Sequence, residues 1–140
     1  MNQKPKNRCL TPRCRRIIPP SAVEQYKHYC RRCEWRRLKA RDPVRYAYVL
    51  LKQRALQRGK EFRLTLSEFR EFVAKNTDFL AKRGKEATSL SIDRIREDGP
   101  YAADNIQVLT LSQNSAKSSL WRLRKAPVHI LEKYARFIGA

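Results

Sequence analysis

The chain has 140 residues, 41% of them apolar, and a formal net charge of +19 at pH 7. That length allows one domain, or one small domain with an appended module, and a single modest core. No window approaches the roughly 18 consecutive apolar residues of a membrane span, and the basic N-terminus lacks the apolar run of a signal peptide. An intracellular protein with no membrane partner is therefore expected. The charge is unevenly spread: residues 1–60 carry 18 Lys and Arg against 3 Asp and Glu, whereas the rest carry 14 against 10. Self-repulsion on that scale suits a polyanionic partner, and nucleic acid is the usual one.

Residues 1–41 hold all four cysteines and four of the seven prolines, with almost no hydrophobic periodicity. Such a segment must be held by something other than a core. Cys9 and Cys14 bracket four residues, Cys30 and Cys33 bracket two, and 15 residues separate the pairs. In a reducing compartment, two close pairs at that separation point to four thiolates around one structural, tetrahedral Zn2+. The ion would contribute folding energy directly. His28 lies two positions before Cys30, but a full set of ligands exists without it, so it reads as exposed. Arg15, Arg16, Arg31, Arg32, Arg36 and Arg37 crowd the cysteine pairs and are candidate nucleic-acid contacts. Trp35 among them either packs on the module or stacks on a base.

Asp42-Pro43 then opens a helix, with Asp as the cap and Pro in the first turn. Val44, Ala47, Tyr48, Leu51 and Ala55 share one face of it, and Gly59 ends it. "EFRLTL" reads as an extended piece. Thr65 and Glu68 form a capping box ahead of Phe69, Phe72 and Val73. Residues 76–88 are polar, with room for a short helix around Phe79 and Leu80. Leu90 and Ile92 alternate with polar neighbours as on a half-buried strand. "REDGPY" is turn chemistry, and "NIQVLT" alternates again. Ser112 is the expected cap of a short helix through Asn114 and Lys117. Pro127 starts a last helix whose apolar face is Ile130, Tyr134, Phe137 and Ile138. The expected class is α+β, in four parts: a basic zinc module at 1–41, a helical connector at 42–88, a strand–loop–strand–helix motif at 89–120 and an amphipathic helix at 121–140.

The stretch "LSIDRIREDGPYAADNIQVLTLSQNSAKSS", residues 90–119, resembles the ββα-metal motif of the HNH (His-Me finger) endonucleases. The resemblance is closest to a subgroup common in bacteriophage genomes. Members begin with paired cysteines, continue with a helix ending like "RALQRGKEFRLTLSEF", and finish with S-x-D-R-I, then G-Y, then N-x-x-V. It runs loosely from Cys9 to Lys117, and its specific part is about 30 residues. It implies that Asp93 is a ligand of a catalytic divalent cation and that Asn114 completes the ion's site from the helix. It further implies that Asn105 is a structural residue at the start of the second strand. Lys117 matches a frequent basic residue one turn on.

The chemistry of these side chains fits that implication. Mg2+ or Mn2+ takes one or two protein oxygens and keeps positions open for phosphate and water. Asp93 offers charge, Asn114 a neutral amide oxygen, and Asn105 an amide able to tie the intervening loop to the first strand. Arg94 stands where the family places its general-base histidine, and a guanidinium stays protonated at any relevant pH. Either an ion-activated water attacks with Arg94 clamping the phosphate, or His28 or His129 serves as base, or the site binds DNA without cutting it. The D-R pair also occurs in the subgroup. The expected function is a metal-dependent DNA endonuclease or nickase that hydrolyses phosphodiester bonds in double-stranded or branched DNA. The alternatives are a non-catalytic DNA-binding protein on the same fold and a zinc-stabilised RNA-binding or nucleoprotein factor. If the chain is phage-encoded, the compartment is the bacterial host's cytoplasm.

Overall fold

The structure is a computed structural model that describes residues 7–20, 28–125 and 129. Among the described residues, four helices and a two-stranded antiparallel sheet make a mixed α+β chain, in the order α1 (Arg31–Arg41), α2 (Pro43–Gln57), α3 (Leu66–Lys75), β1 (Leu90–Arg94), β2 (Ile106–Thr110) and α4 (Leu111–Arg124). The chain divides into two compact units, Met1–Leu51 and Lys52–Ala140, with the division inside α2. Among the described residues no helix is long and apolar enough to cross a membrane. The last helix expected at 121–140 lies mostly outside the described residues; what is described of it, through Arg124, continues α4.

Among the described residues of the first unit the buried apolar ones are Cys9, Ile18, Cys30, Cys33 and Ala47, so sulfur is prominent in that interior. The backbone folds around those sulfurs. Cys9 N–H donates to the Arg16 carbonyl (3.0 Å) and Ile18 N–H to that of Asn7 (2.7 Å), closing the loop that carries Cys14. The four-residue spacing of the first pair is turned by Arg13, whose φ of 63° lies in the left-handed region. Such a conformation costs a non-glycine residue roughly 1–2 kcal/mol. Leu10 N–H reaches the His28 carbonyl (2.9 Å) and joins the second pair to the first.

Helix α1 was not expected from the periodicity. It starts from Cys30 as its N-cap, with Cys33 in its first turn. Its residues are too uniformly cationic to carry an apolar stripe, which is why hydrophobic spacing does not reveal it. It stops because Pro43 has no N–H to continue it. Asp42 caps the next helix as anticipated, accepting from Arg45 N–H at 3.0 Å.

Helix α2 buries Ala47 and Ala55 and ends on Gly59 at φ 63°. Gly59 N–H bonds the Leu56 carbonyl and Lys60 N–H that of Ala55, a Schellman closure that requires this left-handed residue. In the second unit Phe62 pairs with Tyr101 in an isolated bridge, and the N–H groups of Arg63 and Leu64 both donate to the Tyr101 carbonyl (2.9 Å each). Thr65 and Glu68 complete the anticipated capping box of α3. The Thr65 backbone N–H, with its hydroxyl, holds the Glu68 carboxyl below its ordinary range. Phe69 and Val73 are buried, and Phe79 meets Phe69 edge-on at 6.4 Å between centroids. Phe79 and Leu80 lie in turns, not in a second helix.

Strands β1 and β2 pair with Ile92 opposite Val108 and Asp93 opposite Gln107. Helix α4 follows β2 without a loop and runs 14 residues, longer than the short helix expected. Its cap is Thr110, in a capping box with Gln113, and Ser112 is already inside the helix. The strand's last residue doubles as the helix cap because its backbone is still extended (φ −67°, ψ 158°).

Candidate functional site

The four cysteine sulfurs lie within 4.8 Å of one another, and those of Cys14 and Cys30 are 3.8 Å apart. Sulfurs bound tetrahedrally to one ion at about 2.3 Å would sit about 3.8 Å apart, so the quartet can hold a metal ion. All four are free thiols, and three are buried. Cys30 and Cys33 lie at the N-terminus of α1, whose dipole favours the thiolate form. Burial raises the Cys9 thiol, but hydrogen bonds from Thr11 and the Cys30 N–H (3.3 Å) outweigh it and bring the group down to about 6. For Cys33 the Thr11 hydrogen bond pulls downward, while burial and the neighbouring sulfurs of Cys30, Cys14 and Cys9 push the group up to about 11. Proton sharing of this kind belongs to sulfurs pressed together, which one cation would relieve. His28 is exposed and stands outside the quartet.

The basic residues Arg15, Arg16, Arg31, Arg32, Arg36 and Arg37 around this module are exposed. Arg37 is engaged, its guanidinium lying 4.0 Å over the Tyr29 ring. Trp35 is half-buried and packs edge-on against Tyr46 at 5.6 Å.

In the second unit the sheet and α4 bring together the side chains picked out at 90–119. Alternation along β1 puts Ser91 and Asp93 on one face and Arg94 on the other. A three-residue step on α4 puts Asn114 and Lys117 on one side of the helix. The two pairs meet: Asn114 Nδ2 donates to Ser91 Oγ (3.4 Å), and Lys117 Nζ reaches Asp93 Oδ2 (2.6 Å) and the Arg94 carbonyl. Gln107, directly across the ladder, donates to the same Asp93 oxygen at 3.0 Å. Asp93 Oδ1 accepts no hydrogen bond from a described residue. Asp93 is 6% exposed, and among the described residues Lys117 is the cation paired with it, itself also 3.9 Å from Glu97.

Asn105 is 1% exposed and acts as a clasp. Its Oδ1 accepts from Arg96 N–H (2.8 Å), while Nδ2 donates to the carbonyls of Pro100 (2.8 Å) and Arg96 (3.2 Å). Gly99 makes room for it, since a Cβ there would fall 2.7 Å from Asn105 Nδ2. Arg94 points into the same loop and is 7% exposed. It donates to the Gly99 carbonyl (2.7 Å), pairs with Glu97 (3.2 Å) and lies 5.3 Å over the Tyr101 ring. Asp93, Asn114 and Lys117 thus share one face, while Arg94 and Asn105 serve the loop behind it. His129 is exposed and is not among the groups around Asp93.

Gln107, Glu97, Ser91 and Gly99 were not singled out from sequence. Glu97 could have been suggested by its three-residue spacing from Arg94. Gln107 and Ser91 depend on strand register and helix placement, which no local pattern states. Among the described residues no second group of three or more histidine, cysteine or carboxylate side chains converges as the cysteines do. No family model, curated protein or solved structure matches the chain.

Proposed function

We propose that this protein is a metal-dependent DNA endonuclease or nickase of the HNH type, with a structural zinc held by Cys9, Cys14, Cys30 and Cys33. The observation that carries the reading is the face formed by Asp93, Asn114 and Lys117, backed by a loop that Asn105 clasps from inside. Asp93 Oδ1 and the Asn114 amide oxygen are the two oxygens offered to a divalent ion, and the rest of its shell is left to water and phosphate, as Mg2+ or Mn2+ prefers. Such an ion, when bound, polarises a scissile phosphate and neutralises charge on the leaving oxygen. Lys117 balances the Asp93 charge in the resting protein and becomes free to meet phosphate once that charge is shared. Arg94 takes a supporting part in this reading, because its guanidinium is turned into the loop and engaged by Gly99 and Glu97. The exposed arginines of the zinc module supply grip on the backbone of double-stranded or branched DNA.

The ammonium already seated on Asp93, at 2.6 Å, favours one competing reading: a DNA-binding protein that keeps the hairpin and helix without cutting. Plasmid nicking with Mg2+ or Mn2+, comparing the natural chain with Asp93→Ala, separates the two. Cutting that disappears in the variant supports the nuclease. Salt-sensitive DNA binding with no cutting by the natural chain would leave the competing reading in its place.

A further inference from the structure

The first unit holds a hollow of about 530 Å3 that neither the cysteine quartet nor the hairpin accounts for. Its walls are Arg16, Arg31, Arg32, Trp35, Arg36, Lys39 and Tyr46. Positions 31, 35 and 39, with 32 and 36, fall on one side of α1 by the four-residue repeat. Arg16 comes from the first cysteine loop and Tyr46 from the start of α2. The wall therefore has five cations, two aromatic rings and no carboxylate. None of the five makes an ion pair with a described carboxylate. Arg32 and Arg36 stand four apart on the helix, a like-charge spacing that destabilises it. The two rings are half-buried, and the five cations are exposed. Lys39 Nζ lies 5.9 Å from the Tyr46 centroid.

We infer that this hollow is a separate binding site for an unpaired nucleic-acid strand, holding backbone phosphate among Arg16, Arg31, Arg32, Arg36 and Lys39 and one base against Trp35. The volume suits a group of nucleotide size. A strand of unpaired nucleotides offers anionic oxygens beside a flat π-face, the two features this wall matches. A paired duplex keeps its base faces stacked inside. A lipid surface would want apolar side chains projecting outward, and here the two rings are half-buried and the exposed side chains are cations. An acidic peptide would use the cations and leave the rings unused. The site is independent of the Asp93 face and stands whether or not that face cuts DNA.

The test uses the full, zinc-loaded chain with no added Mg2+ or Mn2+ and a labelled eight-residue oligothymidylate. With Trp121→Phe as background, Trp35 is the remaining tryptophan, and the oligonucleotide should quench its fluorescence. An abasic oligomer of equal length and charge should bind roughly five- to hundredfold more weakly, the usual worth of one stacked base. Trp35→Leu should lose a similar factor and Trp35→Phe should recover most of it. Arg32→Ala with Arg36→Ala should flatten the log–log salt slope by about 1.4, at about 0.7 per phosphate contact on a single strand. Equal binding by oligouridylate would support the site and extend it to RNA. Binding is read with no Mg2+ or Mn2+ added and nicking with it, so failure here and failure of the nicking assay are distinguishable. Equal affinity for the abasic oligomer, an unquenched Trp35, or equally effective competition by phosphatidylserine vesicles would overturn the proposal. The abasic comparison needs no variant and holds even if Trp35→Leu disturbs folding.

Discussion

The cysteine module and the hairpin with its helix solve the same problem in opposite ways. Each must hold a few polar or ionisable groups in fixed positions. Among the described residues of the module the buried apolar groups are three cysteines, Ile18 and Ala47. The second unit uses Ala55, Leu64, Phe69, Val73, Phe79, Tyr101 and Ile106 as a core, and positions its candidate site by strand register, a capping box and one buried amide. Read as a zinc module, the first arrangement would depend on an ion; the second has an apolar core of its own.

Removing the metal should therefore produce the largest difference between the two. Cys30→Ser, or a strong chelator on the natural chain, should abolish protection from amide exchange in residues 7–41 and leave β1, β2 and α4 protected. Structural zinc contributes roughly 10–16 kcal/mol in small modules, far more than this interior could replace. Metal analysis showing no zinc in the purified chain, or unchanged exchange after chelation, would remove the basis of the contrast. Acid should act in the same direction, since protons compete for thiolates.

Next in size is Asn105→Ala. It leaves Arg96 N–H and the carbonyls of Arg96 and Pro100 without their partner in a closed loop. At about 1–3 kcal/mol for each buried group left unpaired, we expect a loss of about 3 kcal/mol or more in the second unit. Denaturant unfolding followed at Trp121 reads this, and a loss under 1 kcal/mol would mean the clasp is ornamental. Gly99→Ala should show a smaller version of the same defect, because its Cβ would press on the Asn105 amide.

Thr110→Ala should cost about 1 kcal/mol, whereas Ser112→Ala should be nearly neutral. The reverse order would restore Ser112 as the cap and contradict the strand-to-helix junction described above. The smallest effect belongs to Lys117→Met, which removes the cation seated on Asp93. Mn2+ affinity, followed by electron paramagnetic resonance, should rise several-fold because ion and ammonium compete for one carboxylate. Unchanged affinity would show that the ion, if bound, does not use Asp93.

The features legible in the sequence are those with short-range causes. The cysteine pairs, the Asp42-Pro43 start, the Thr65–Glu68 box, the Gly59 stop and the two alternating segments are each written within a few residues, because caps, turns and ligand spacings act over that range. The candidate residues Asp93, Asn105, Asn114 and Lys117 could likewise be named one by one. Their partnerships could not. Arg94 looks like an active-site residue when read beside Asp93, yet alternation along the strand turns it into the loop. Helix α1 escapes because its charges leave no apolar stripe to detect. The meeting of Ser91 with Asn114, of Gln107 and Lys117 with one oxygen of Asp93, and of Arg16 with the cationic side of α1 are decided only in three dimensions. Strand register and the packing of a helix on a sheet set those distances, and both are settled by burial across the whole unit and not by any neighbouring residue.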